Sequence, residues 1–314
     1  MERIAALAFV AAAAFAVPAT SQIVPPQPLD IPVDELAIGE ADLRMTVPVS
    51  IAGKGSWPFV IDTGAERTVV SHELADRLAL LPGRTVRVMT MSGSVVAPTT
   101  LVPMLRLKAL TPDTIEAPTF TRANLGAIGM LGIDALQGQK VAIDFDRNRM
   151  TLTPSKKRML RRSSPDEIVI VARSLYGQLI VTDARWRGKK IAVVIDTGSP
   201  VTIANPALLR IATRKPPPFL GAMSVITPSG ATLSADAYRL ERLEVGGVAF
   251  DGVSVAVADA APFARFGLGD TPALLLGMET LRLFRTVEID FANRAIRLTL
   301  PRGSRVSGTS VTGF

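Results

Sequence analysis

The sequence predicts an all-β protein built of two homologous lobes. A pseudo-twofold axis relates the lobes, and each carries one short helix. Three observations lead to this expectation. Three sequence blocks recur in the same order in the two halves of the 314-residue chain. The blocks read as short strands with partial period-two alternation and turn residues between them. Two copies are too few for a stacked array, so the repeat implies a duplicated domain.

The first block, PFVIDTGAERTVVSHELADRLAL, returns as AVVIDTGSPVTIANPALLRIA. The second, VMTMSGSVVAP, returns as VITPSGATLSA. The third, IGMLGIDALQGQKVAIDFDRNRMTLTP, returns as ALLLGMETLRLFRTVEIDFANRAIRLTLP. Asp62 and Asp196 are 134 positions apart, whereas Gly132 and Gly277 are 145 apart. The second half therefore holds a small insertion between its first and third blocks.

In chain order, residues 1–21 read as a signal peptide: Arg3 supplies positive charge, Ile4 to Val17 is an apolar core, and small residues follow. An uncleaved anchor is the alternative. The pattern predicts an exported chain, periplasmic or secreted, with no stable membrane insertion after cleavage. Residues 22–155 form the first lobe. LRMTVPVSIAG alternates in part and ends at the glycine turn Gly53 to Gly55, and an apolar run then leads into Asp62. Ser71 to Leu80 reads as a short helix with Ser71 as N-cap. VAIDFDRNRMTLTP reads as two strands about an asparagine turn, with Asp144, like its counterpart Asp290, at a strand end. Residues 156–167 form a basic linker. Residues 168–301 form the second lobe, in which Pro206 opens the matching helix. Residues 302–314 read as a flexible tail.

Composition narrows the chemistry. There is no cysteine, and His72 is the single histidine. Disulfides, thiolate sites, a cysteine nucleophile and a histidine-rich metal site are excluded, and neither a metal nor a cofactor is expected. Net charge is +7 and the pI about 10.1. The run Lys156 to Arg162 could bind anionic partners, but no aromatic residue is interleaved with it. It reads as a solvated linker, with no nucleic-acid partner.

Carboxylates remain. Each copy of Asp-Thr-Gly follows a buried-looking apolar strand, an expensive place for an acid. Equivalent residues of a duplicated fold meet near its axis. If Asp62 and Asp196 meet there, they cannot easily both ionise, and one shared proton provides a base and an acid in one site. Such a pair can direct water onto an amide with no covalent intermediate. Gly64 and Gly198 leave backbone amides free to turn toward the carboxylates, and Thr63 and Thr197 can donate hydroxyl hydrogen bonds. Gly132 and Gly277 allow a second strand to pass close by.

These residues resemble the retropepsin and pepsin-like aspartic proteases, as two fused retropepsin-like domains of the bacterial periplasmic type. DTGAERTVV is similar to the retroviral form and DTGSPVTI to the pepsin form, while GMLG and LLLG match the family's hydrophobic-hydrophobic-Gly signature. The resemblance covers roughly Leu43 to Leu300 and implies that each lobe is a retropepsin-like β-barrel, with the active site in the cleft between them. It implies an aspartic endopeptidase with Asp62 and Asp196 catalytic and Thr63 and Thr197 as a grip between lobes. Leu131, Gly132, Leu276 and Gly277 would then form the hydrophobic-Gly loops. It implies one flap at Met91, Ser92, Gly93 and Ser94 and another at Pro228, Ser229 and Gly230, neither with the tyrosine of pepsin. Ala65 lacks the hydroxyl of Ser199, so the outer hydrogen bonds of the two aspartates are expected to differ. The partner implied is an extended peptide, bound by a monomer that carries both lobes. Two alternatives are a peptide-binding protein that keeps the fold without cutting, and a basic module for anionic partners.

Overall fold

Both lobes are organised around the same crossing of short strands. In the computed structural model, which describes residues 36–37, 39–41, 43–107, 114–155, 164, 166–212, 214–302 and 310–312, Lys54–Ile61 runs parallel to Gly129–Leu131. Gly129–Leu131 runs antiparallel to Val69–Ser71, which is parallel to the end of Thr114–Phe120. The second lobe repeats this. Lys189–Ile195 is parallel to Ala273–Leu276, which is antiparallel to Ile203–Ala204, itself parallel to Val253–Val257. A strand inside such a crossing is covered on both faces, so its sequence is apolar without alternation. Phe59, Val60 and Ile61 are accordingly buried, as are Val193, Val194 and Ile195. The predicted signal peptide and the run Lys156 to Arg162 lie outside the described residues.

A third sheet is shared between the lobes. Its six strands run in the order Leu36–Ala37, Arg149–Pro154, Gln139–Asp144, Thr286–Asp290, Ala295–Thr299, Glu167–Val171. At its centre Val141 lies opposite Ile289, Ala142 opposite Glu288 and Ile143 opposite Val287. In the repeat, Val141 corresponds to Val287 and Ile143 to Ile289. The register is therefore its own image under exchange of the halves, which fixes the pseudo-twofold between Ala142 and Glu288. Asp144 and Asp290 end these strands, each accepting a turn N–H at 3.0 Å, from Arg147 and Asn293 respectively.

The expected helices form where their caps lie. Ser71 Oγ accepts from Leu74 N at 3.2 Å and starts His72–Arg77, which stops short of Leu80. Asn205 Oδ1 accepts from Leu208 N at 3.1 Å and starts Pro206–Leu209. Among the described residues each lobe adds two α-helices to the one expected: Arg122–Leu125 and Ile133–Leu136 in the first, Ala261–Arg265 and Met278–Leu281 in the second. These span four or five residues, too few to carry a 3.6-residue pattern. Within the predicted flexible tail, Ser310–Thr312 forms a strand parallel to Val248–Asp251. Among the described residues no helix is long and apolar enough to cross a membrane.

Candidate active site

The two Asp-Thr-Gly loops meet on the pseudo-twofold. Each emerges from its apolar strand, and its first amide is tied to the neighbouring strand. Asp62 N donates to Leu131 O at 2.9 Å, and Asp196 N to Leu276 O at 3.0 Å. The Leu-Gly pairs thus hold the aspartates from below. A Cβ on Gly132 would fall 2.4 Å from Arg67 C, and one on Gly277 only 2.1 Å from Val201 O. Neither position admits a side chain without moving backbone.

The threonines cross between lobes. Thr63 Oγ1 donates to Ile195 O at 2.9 Å, and Thr197 Oγ1 donates to Ile61 O at 2.8 Å. Each hydroxyl also accepts the other threonine's backbone N–H, at 3.2 and 3.1 Å. Both side chains are buried. Thr197→Val would strand Ile61 O and Thr63 N, at a cost of about 2–4 kcal/mol. A matching fall in the denaturation free energy is expected, with Thr197→Ser close to the parent.

Above this grip the carboxylates face one another within hydrogen-bonding reach. A Cβ on Gly198 would sit 2.2 Å from Asp62 Cγ, and one on Gly64 2.8 Å from Asp196 Cγ. Each acid therefore packs against the other lobe's glycine. Asp62 Oδ1 accepts from Gly64 N and Ala65 N, both at 2.9 Å. Asp196 Oδ1 accepts from Gly198 N at 3.0 Å and Ser199 N at 3.2 Å. These outer bonds match, contrary to the expectation drawn from Ala65 and Ser199. The Ser199 hydroxyl instead donates to Val201 O at 2.7 Å, a backbone acceptor that competes successfully for it.

The electrostatics are unequal. Burial raises the pKa of Asp62, while the amides of Gly64 and Ala65 and the positive charge of Arg44 oppose the rise. Asp196 is pushed up to about 8, first by burial and then by the negative charge of Asp62. The pair titrates as a unit.

Both predicted flaps are hairpins. The first joins Val86–Thr90 to Gly93–Ala97, with Gly93 at φ +125°, and Ser94 pairs with Met89 just beyond the tip. The second joins Phe219–Ile226 to Thr232–Leu240, with Gly230 at φ +83°. Each tip leans on the opposite lobe. Met91 O accepts from Ala261 N at 2.9 Å, and Gly230 sits against the Asn124 side chain. The tips touch through Ser92 Oγ and Thr227 Oγ1, 3.3 Å apart, and Ser229 Oγ lies 2.9 Å from Thr227 Oγ1. Pro228 lines the cleft beneath. The cleft has a volume of about 230 Å³ and takes its walls from both lobes.

Several site residues were not singled out from sequence. Arg44 and Gln178 both line the cleft and occupy equivalent positions, each 18 residues before its aspartate. Arg44 Nη1 donates to Leu125 O at 3.0 Å, and Gln178 Nε2 to Gly64 O at 3.0 Å. Their equal spacing was the available signal. Thr68 and Thr202 brace the hydrophobic-Gly loops. Gly132 N donates to Thr68 Oγ1 at 3.2 Å, and Gly277 N to Thr202 Oγ1 at 3.1 Å. Thr68 in turn donates to Asp134, while Thr202 bonds Thr280.

Comparison with known families agrees with this geometry. Residues 47–138 match the family described as gag-polyprotein aspartyl protease. Residues 182–280 match the family described as aspartyl protease. No curated protein matches the chain at a significant level. The two matches fall one on each lobe, and each spans an Asp-Thr-Gly loop, a flap and a hydrophobic-Gly loop. The chain thus belongs to the aspartyl proteases, as a tandem of two retropepsin-like domains in one polypeptide.

Proposed function

We propose that this protein is an aspartic endopeptidase, in which Asp62 and Asp196 activate a water to hydrolyse a peptide bond. The observation that carries the reading is the meeting of the two carboxylates above the crossed threonines, each fixed by two backbone N–H groups. Arg44 favours the charged form of Asp62, which makes Asp62 the base and Asp196 the acid. Asp62 takes a proton from water as its oxygen bonds to the carbonyl carbon, and Asp196 gives its proton to the carbonyl oxygen. As the C–N bond breaks, Asp62 passes its proton to the leaving nitrogen and Asp196 recovers one from the intermediate. The substrate is an extended peptide that pairs with the flap strands. As part of the same reading, the apolar N-terminal run supports export to the periplasm or beyond, and both lobes in one chain support a working monomer.

The test is hydrolysis of a peptide library, with products identified by mass and kcat/KM followed against pH. The expected profile is a bell. On the alkaline side, Asp196 loses the shared proton as pH rises through about 8, leaving no acid. On the acid side, Asp62 gains a proton, leaving no base. Cleavage with a descending limb near pH 8 supports the reading. Activity that stays level through pH 10 overturns the shared-proton mechanism.

A further inference from the structure

The cleft walls carry an uneven charge, most of it beyond what the acid pair and Arg44 need for hydrolysis. Among the described residues, Arg44, Arg67, Arg87 and Arg265 line the cleft, while Glu66 is the one acid there besides the catalytic pair. Arg265 is engaged: its Nε donates to Glu66 Oε1 at 2.5 Å, and its guanidinium lies 4.2 Å above the Tyr176 ring. Arg67 and Arg87 make no ion pair among the described residues, although both border the cleft. Arg67 follows the first catalytic loop, and Arg87 lies on the first flap. The equivalent positions of the second lobe hold Val201 and Ser224, and Gln178 stands where the first lobe has Arg44. None of the three cations is thus repeated in the other half. Gln178 is 1 % exposed, and its Oε1 has no hydrogen-bond partner although Nε2 is fixed on Gly64 O. A buried acceptor of this kind suits a backbone N–H of a bound strand.

We infer that the cleft selects acidic peptides, with carboxylates flanking the scissile bond held by Arg67 and Arg87 in the field of Arg44. The inference rests on the peptidase reading and names its substrate class. A cleft walled in low dielectric focuses the field of its fixed charges and raises the local concentration of an oppositely charged ligand. Salt weakens that attraction most at Arg87, which is exposed, and less at the half-buried Arg67. A guanidinium on the flap can meet a substrate carboxylate only when the flap covers the peptide, so the contact also favours closure.

The experiment uses the full chain and two matched peptides with the same apolar pair at the scissile bond. One carries glutamate on both sides of that pair, and the other carries glutamine. At low salt kcat/KM is expected to be about tenfold higher for the glutamate peptide, with the ratio falling toward one at high salt. Arg67→Gln with Arg87→Gln is expected to bring the low-salt ratio to within about twofold of one. Equal cleavage of the two peptides by the parent overturns the inference and leaves the peptidase reading standing, as does a ratio that the double variant fails to change. If neither peptide is cut, the peptidase reading fails, and their Kd values are compared by fluorescence anisotropy. Equal Kd values then overturn the charge selection as well.

Discussion

Asp196→Asn is expected to lower kcat by roughly 10³-fold or more, because general acid–base catalysis by a placed carboxyl contributes on the order of 10²–10⁴-fold. The same substitution is expected to raise the melting temperature above neutral pH. The fold holds Asp196 at about 8 against an ordinary value of 3.8, so the folded state favours the protonated acid. Stability from that preference is complete below 3.8 and is lost progressively as pH rises through the folded value near 8. Asparagine keeps an uncharged group in place and has no proton to lose. The melting temperature of the parent should therefore fall from pH 5 to pH 9, while the variant's changes less, and the gap should widen with pH. Differential scanning fluorimetry across that range, paired with peptide hydrolysis, checks both halves. Asp62→Asn should abolish hydrolysis too, since one carboxyl cannot hold both proton roles at once. Full activity in either variant would contradict the dyad.

The second large effect lies beneath the site. Gly277→Ala is expected to destabilise by about 3 kcal/mol or more, lowering Tm by roughly 10 °C. Its Cβ would meet Val201 O at 2.1 Å, Val201 C at 2.4 Å and Ser199 O at 3.0 Å. All three are backbone atoms, so no side-chain rotation relieves the clash. The loop that must move is the one whose Ser199 amide holds Asp196. Activity should fall along with stability. Gly269→Ala is the control: its Cβ would meet only Ala264 Cα, at 3.9 Å, and its Tm should stay close to the parent's. A melting temperature for Gly277→Ala indistinguishable from the control's would contradict the close approach of these segments.

The duplicated architecture and the acid pair could be read in the sequence because symmetry doubles each signal. One Asp-Thr-Gly after FVI is a common strand exit. A second copy after VVI, with a Leu-Gly pair downstream of each, is far harder to obtain otherwise. The glycines of the two hairpin turns, Gly93 and Gly230, stood out for the same reason. What escaped notice lacks a local pattern. Arg265 reaches Glu66 across 199 positions, through tertiary packing alone. Arg44 and Gln178 share their spacing but not their chemistry, so the repeat that revealed the aspartates concealed them. The helix Met278–Leu281 is one turn long and starts at Gly277, so it left only the trace of a turn. The Ser199 hydroxyl misled because it donates to the carbonyl of Val201, at 2.7 Å, and so adds nothing to the outer bonds of Asp196.

The six-stranded sheet that ties both lobes together has a consequence for how such a molecule can evolve. In an assembly of identical subunits, every substitution is delivered in duplicate, and a change useful on one wall is forced on the other. Here gene duplication has freed the two walls to drift apart while the woven base keeps them aligned. Arg44 opposite Gln178 is the visible result: a site inherited as a mirror pair has acquired a left and a right.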